Sequence, residues 1–287
     1  MIPCLMPLFT HYIAVDWSAA NAPTMGKDSI WAAESGHAPS NIPTRFEAMQ
    51  TLRARISQAI AHDERLLIGF DFAFGYPAGI SQAICGDNHW RSLWAYLAQH
   101  VTNGPQNINN RFEVAGKMNR AIGLSEGPFW GHPWQHSYDN LGPKRPVDLP
   151  PSTAQHRIVE TRTKGAKSIF QLAYNGAVGS QSILGMAALH GLISDPDIGS
   201  HIAVWPFETK LSGDFSKSVT LVEIYPSSHV VDTDAHDILD AAQVISVARD
   251  FANWDKTGAL LDKLSAFGLS DMERDIVTRT EGWILGQ

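Results

Sequence analysis

The chain has 287 residues, 44% of them hydrophobic and 18% charged. That is enough apolar material for a packed core and excludes a disordered chain. A formal net charge of −7 excludes a wholly basic nucleic-acid coat, though not a local basic patch.

Two cysteines, Cys4 and Cys85, make neither a disulfide framework nor a zinc-ligand set and suit a reducing compartment. Met1 to Thr10 is apolar but lacks a basic start, so it reads as a lead-in to the first strand rather than a signal peptide. No apolar run approaches the roughly 18–20 residues of a membrane span. A cytoplasmic protein with no membrane partner is expected.

Tyr12 to Asp16 is an apolar run ending in an acid, and residues 29–34 form a second. The polar turn between them, with Asn21, Pro23 and Gly26, makes a hairpin. Thr44 and Glu47 form a capping box, followed by Phe46, Met49, Leu52, Ile56 and Ile60 at helical spacing. Residues 66–72 read as a fully buried strand of a parallel sheet.

Trp90 to Val101 reads as a helix. Residues 102–152, rich in Gly, Pro, Asn and aromatics, read as an irregular insertion that covers one end of the sheet. A helical stretch lies within 167–193, where Gly176, Gly179 and Gly185 permit close packing. Strands follow at 201–205 and 219–225, then an apolar helix at 236–252. Another capping box, Ser270 to Glu273, opens the last helix of a C-terminal helical extension at about 255–287. The order implies one α/β domain over 1–287, with a mixed β-sheet and helices on both faces.

Asp16 and Asp71 each close a strand, and open α/β sheets bind ligands beyond the carboxyl ends of their strands. Each acid alone also suits a turn cap. His236, Asp237 and Asp240, at i, i+1 and i+4 of a predicted helix, project from nearly one face. Glu223 adds a carboxylate near the end of the preceding strand. Clustered carboxylates hold hard cations such as Mg²⁺ or Mn²⁺, and such ions clamp the oxygens of a phosphoryl transfer.

Arg157, Arg162, Lys164 and Lys167 face only Glu160 in their segment and form a candidate phosphate-binding strip, equally readable as a solvated helix start. Gln171, Asn175 and Gln181 follow on the next helix and could face the same crevice. His132 and His136 are a weak metal candidate, since Pro133 interrupts any helix between them. Walker A, G-x-G-x-x-G and G-x-S-x-G motifs are absent.

These pieces in this order resemble the RNase H-like superfamily. Asp16 in Ala-Val-Asp-Trp-Ser resembles its first-strand aspartate, Asp71 its fourth-strand acid, and His236 to Ala242 the C-terminal helix of RuvC-like resolvases. The sequence is most similar to an uncharacterised family of predicted RNase H-like nucleases. Asp71 to Pro77, Glu223 to Pro226 and Asp240-Ala241 match that family's short motifs, with Ala73 where Pro is usual.

The resemblance implies metal-dependent phosphodiester cleavage. Asp16, Asp71, Asp237 and Asp240 would be ligands of Mg²⁺ or Mn²⁺, and the substrate a nucleic acid or a nucleotide-containing small molecule. Two other readings share the fold: a phosphotransferase of the actin and sugar-kinase branch, and a non-catalytic binding protein using the aromatic stretch Phe129 to Trp134. The first lacks the expected glycine after the first strand, where the chain reads Trp17-Ser18-Ala19-Ala20.

Overall fold

A computed structural model describes residues 6–125, 127–147, 149–150, 154–174, 176–212 and 215–287. In chain order the elements run β1 (His11–Asp16), β2 (Ile30–Glu34), β3 (Ser40–Ile42), α1 (Arg45–Ala61), β4 (Leu66–Phe70), α2 (Ile80–Cys85), α3 (Trp90–His100) and α4 (Arg111–Ile122). Then come α5 (Ile158–Arg162), α6 (Gly179–Ile193), β5 (Ile202–Val204), β6 (Val219–Glu223), α7 (Leu239–Thr257), α8 (Ala259–Leu264) and α9 (Asp271–Ile276).

The strands form one mixed sheet in the order β3-β2-β1-β4-β6-β5. β1, β2 and β3 are an antiparallel meander, while β4, β6 and β5 run parallel to β1. Strand alternation sorts side chains into two cores. Ile13, Val15, Ile68 and Phe70 face α1, α3, α4 and α6, whereas Tyr12, Ala14, Leu67 and Val222 face α7 and α8. The sheet is therefore covered on both faces.

Of the two expected capping boxes, the one at Ser270 forms in full and the one at Thr44 by half. Thr44 accepts the Glu47 N–H at the start of α1, and Ser270 and Glu273 cap α9 reciprocally. Phe46, counted in the apolar series of α1, is exposed. Two other expectations change. The segment at 102–152 is not simply irregular, because α4 forms inside it and buries Phe112, Val114, Ala115 and Met118. The helix expected from residue 236 begins three residues later, at Leu239. His236 Nδ1 accepts the Ile238 N–H at 2.9 Å, and the backbone at His236 and Ile238 is extended.

Gly185 allows the close helix contact expected of it, since a Cβ there would lie 2.3 Å from the Phe72 ring. Gly176 instead lies before α6 with φ +78, in the left-handed region. Among the described residues no helix is long and apolar enough to cross a membrane.

The seat of α7 rests on Gly69 in β4. A Cβ there would meet Ile224 Cγ2 at 2.6 Å and the Phe251 ring at 3.1 Å. Overpacking of this kind typically costs about 1–3 kcal/mol. Gly69→Ala should therefore lower the denaturant midpoint at unchanged slope, and a wild-type midpoint would show that α7 can shift without cost.

Candidate active site

Parallel pairing of β1 with β4 puts Val15 beside Phe70, and the ladder continues through the Asp71 N–H, which donates to Val15 O at 3.3 Å. Asp16 and Asp71 thus become neighbours on the α7 face of the sheet, at the carboxyl ends of adjoining strands. The Trp17 N–H donates to Asp71 Oδ1 at 2.7 Å, and the two carboxyl groups are hydrogen-bonded to each other. Each residue keeps some exposed surface, yet both carboxyl groups are deeply embedded among protein atoms.

Such a pair cannot ionise freely. Burial above all, then the charge of Asp71 and the hydrogen bond to it, holds the Asp16 carboxyl well above the usual range. Asp71 is pushed up to about 6, by burial first and in part by the charge of Asp240, against the lowering effect of its bonds from Asp16 and Trp17. The two titrate as a unit, sharing a proton that burial and their mutual charge favour.

Asp240 sits in the first turn of α7, where the Asp28 N–H donates to its Oδ2 at 2.7 Å. Its charge is felt by both members of the pair. Asp237 lies before the helix and is exposed, so the common face expected for His236, Asp237 and Asp240 does not form. The His236 ring packs edge-on against Trp31 instead.

Glu223, at the end of β6, is committed elsewhere. Arg157 grips it with two bonds of 2.6 and 2.8 Å, and the Phe74 N–H donates to it at 3.0 Å. Arg157 also donates to Glu160 Oε1 at 3.0 Å and to Glu281 O at 2.8 Å. The first member of the expected phosphate strip is thus a buried structural cation. Arg162 bonds Glu273 and covers the Trp283 ring, and neither it nor exposed Lys164 lines a cavity beside the acids.

Two adjoining cavities open at the strand ends. One, of about 300 Å³, is lined by Asp71, Lys167, Gln181, Glu223, Tyr225 and Gln243. The other, of about 420 Å³, is lined by Asp16, Asp28, Arg111, Tyr174, Gln181 and Asp240. Gln181, whose side-chain amide donates to Trp17 O, belongs to both walls. Gln171 bonds Ala173 O at 3.0 Å, and Asn175 lies outside the described residues. His132 and His136 line a different cavity with Trp134 and Tyr138.

Sequence reasoning missed Asp28 and Arg111. Asp28 sits in the β1–β2 turn with φ +58, a region Asp tolerates. Arg111 opens α4, for which Phe112, Ala115 and Met118 at i, i+3 and i+6 were an available signal.

Among the described residues no three His, Cys, Asp or Glu side chains form a ready cage for a metal ion. The Asp16–Asp71 pair nevertheless fits an ion of the Mg²⁺ type. Such ions keep several waters and bind through one or two carboxylates plus substrate oxygens. A cation between the two would also replace the proton that burial forces them to hold. Compared with protein-family models, with curated proteins and with solved structures, the chain finds no match.

Proposed function

We propose that this chain is a divalent-metal-dependent hydrolase of phosphodiester bonds with an RNase H-like fold, using Mg²⁺ or Mn²⁺. Its substrate would be a nucleic acid or a nucleotide-containing small molecule. The observation that carries this reading is the Asp16–Asp71 pair: two embedded carboxyl groups in contact at the carboxyl ends of adjoining parallel strands, open to a cavity. Support comes from the hairpin that leaves β1, from β4 beside β1, and from Asp240 at the start of the helix after β6. That is the arrangement the sequence resemblance implies. The net charge of −7 favours a narrow substrate over nonspecific duplex binding.

When bound, the ion would lower the pKa of a coordinated water and offset charge on a phosphoryl oxygen. The residues of the chain do the positioning. Asp16 and Asp71 would hold the cation, and the Trp17 N–H fixes the position of the Asp71 carboxyl through its Oδ1. Asp240, anchored by the Asp28 N–H, adds negative charge from the α7 side. Asp237 and Glu223 are left out of this ligand set, one by exposure and the other by its bond to Arg157.

A crystal soaked in Mn²⁺ tests the reading. Anomalous density should lie within about 2–2.6 Å of oxygens from both Asp16 and Asp71. Density at neither residue under saturating Mn²⁺ would reject it.

A further inference from the structure

Two arginines, Arg45 and Arg111, make no hydrogen bond or ion pair with a carboxylate among the described residues, although the charge of Glu113 acts on Arg111. Arg45 is fully buried, and its five N–H groups go to Ser18 O, Ala20 O, Asn103 Oδ1 (two bonds) and Asn107 O. Arg111 is partly buried: its Nε donates to Ser180 Oγ at 2.9 Å, and its Nη1 donates to Asn109 Oδ1 at 2.8 Å and to Asn21 Oδ1. All these acceptors are neutral. Neither arginine forms an ion pair with a described residue, although acids outnumber bases in the chain, 29 to 22.

Burial, and for Arg45 also the charge of Arg111, pushes each guanidinium down to about 10, so both remain charged at neutral pH. Two embedded guanidiniums with no carboxylate bonded to them are costly unless an anion joins them. The Arg45 donors are all engaged. Arg111 Nη2 has no hydrogen-bond partner among the described residues, and Arg111 lines the cavity that Asp16 and Asp240 also line.

We infer that Arg111 is the anion-binding residue of this site, taking the phosphate group of the substrate on its Nη2 edge. The inference rests on the hydrolase reading for the identity of that substrate, but the anion site itself stands on Arg111 alone. The neutral partners of Nε and Nη1 hold the guanidinium plane fixed, which suits directional recognition of a phosphate oxygen. The same cavity is lined by cationic Arg111 and by the carboxyl groups of Asp16, Asp28 and Asp240. A phosphate could meet the guanidinium on one side and a carboxylate-bound cation on the other.

Inorganic phosphate is the probe. It is titrated against the whole chain at constant ionic strength, without divalent ions, with binding read by calorimetry and by melting temperature. Wild type should bind it, and Arg111→Gln should weaken binding at least tenfold. Arg120→Gln, which removes an exposed charge from the same helix α4, should leave binding unchanged. If Arg111→Gln fails to fold, Arg111→Lys decides: it keeps the charge but loses the fixed plane, and should weaken binding several-fold. Phosphate binding that is absent from wild type, or that is unaffected in the Arg111 variant that folds, overturns the inference. Loss of binding only through Arg120→Gln overturns it too. A separate Mn²⁺ titration distinguishes the two readings. Wild type that binds phosphate through Arg111 but gains nothing from Mn²⁺ leaves this inference standing and removes the metal-dependent hydrolase.

Discussion

Replacing Arg157 by Met should destabilise the protein by about 3–5 kcal/mol, the usual range for removing one partner of a buried ion pair. Arg157 is 1% exposed and joins Glu160 and Glu223 while also bonding Glu281 O. Burial by itself would lower its guanidinium, but Glu223 and then Glu160 carry it upward. The Glu281 carboxyl, raised by burial, accepts from the N–H groups of Ala78 and Ile158 and closes the cluster. Met matches much of the arginine stem but leaves buried carboxylates with no cation. They would then recover by taking up protons, so the gap between variant and wild type should narrow as pH falls from 8 to 5. Adding Glu223→Leu should restore part of the loss, because an unpaired charge costs more than an apolar pair. Urea melts of both variants at two pH values check this. A single variant as stable as wild type at pH 8 would mean that water reaches the cluster.

That cluster also shows where the sequence could be read and where it could not. Asp16 and Asp71 were legible because each closes an apolar run, and parallel pairing brings equivalent strand ends together. The hairpin, β4 and the helix N-caps at Thr44 and Ser270 were legible for similarly local reasons. The bond that ties Glu223 to Arg157 was not legible, because the two lie 66 residues apart and nothing local marks the pairing. The same separation hid that Arg157, read as part of a phosphate strip, is buried against Glu223 and Glu160. Asp237 was misplaced through a helix boundary: Ile238 caps α7 without a side-chain bond, so no capping signal marked the true start. Arg111 was hidden by the composition around it, where Asn, Gly and Pro drew attention away from one amphipathic helix.

The Asp16–Asp71 pair yields the last prediction, whose sign follows from burial. In the folded chain both carboxyl groups take up protons at higher pH than in the unfolded chain. Their contribution to stability is therefore fully present below the unfolded value, about 4. It is lost as pH rises through the folded values, which for Asp71 is about 6. Asp71→Asn removes that loss. Its Oδ1 can still accept the Trp17 N–H, and its amide can donate to Asp16 in place of the shared proton. The metal-free variant should be more stable than wild type at pH 8 by on the order of 1–3 kcal/mol, or roughly 2–5 °C, and the difference should vanish near pH 4. Asp16→Asn should behave in the same direction.

Both substitutions should abolish stabilisation by Mn²⁺, since that gain is a binding free energy and the anionic ligands are gone. On the hydrolase reading they should also abolish Mg²⁺- or Mn²⁺-dependent cleavage of single-stranded, duplex, hybrid and branched substrates, while the fold survives. Melting curves at pH 4 and 8, with and without Mn²⁺, separate the effects. A variant less stable than wild type at pH 8 would contradict the buried, proton-sharing pair. Wild type that gains no stability from either ion and cuts none of the substrates would leave a non-catalytic binding protein on the same fold.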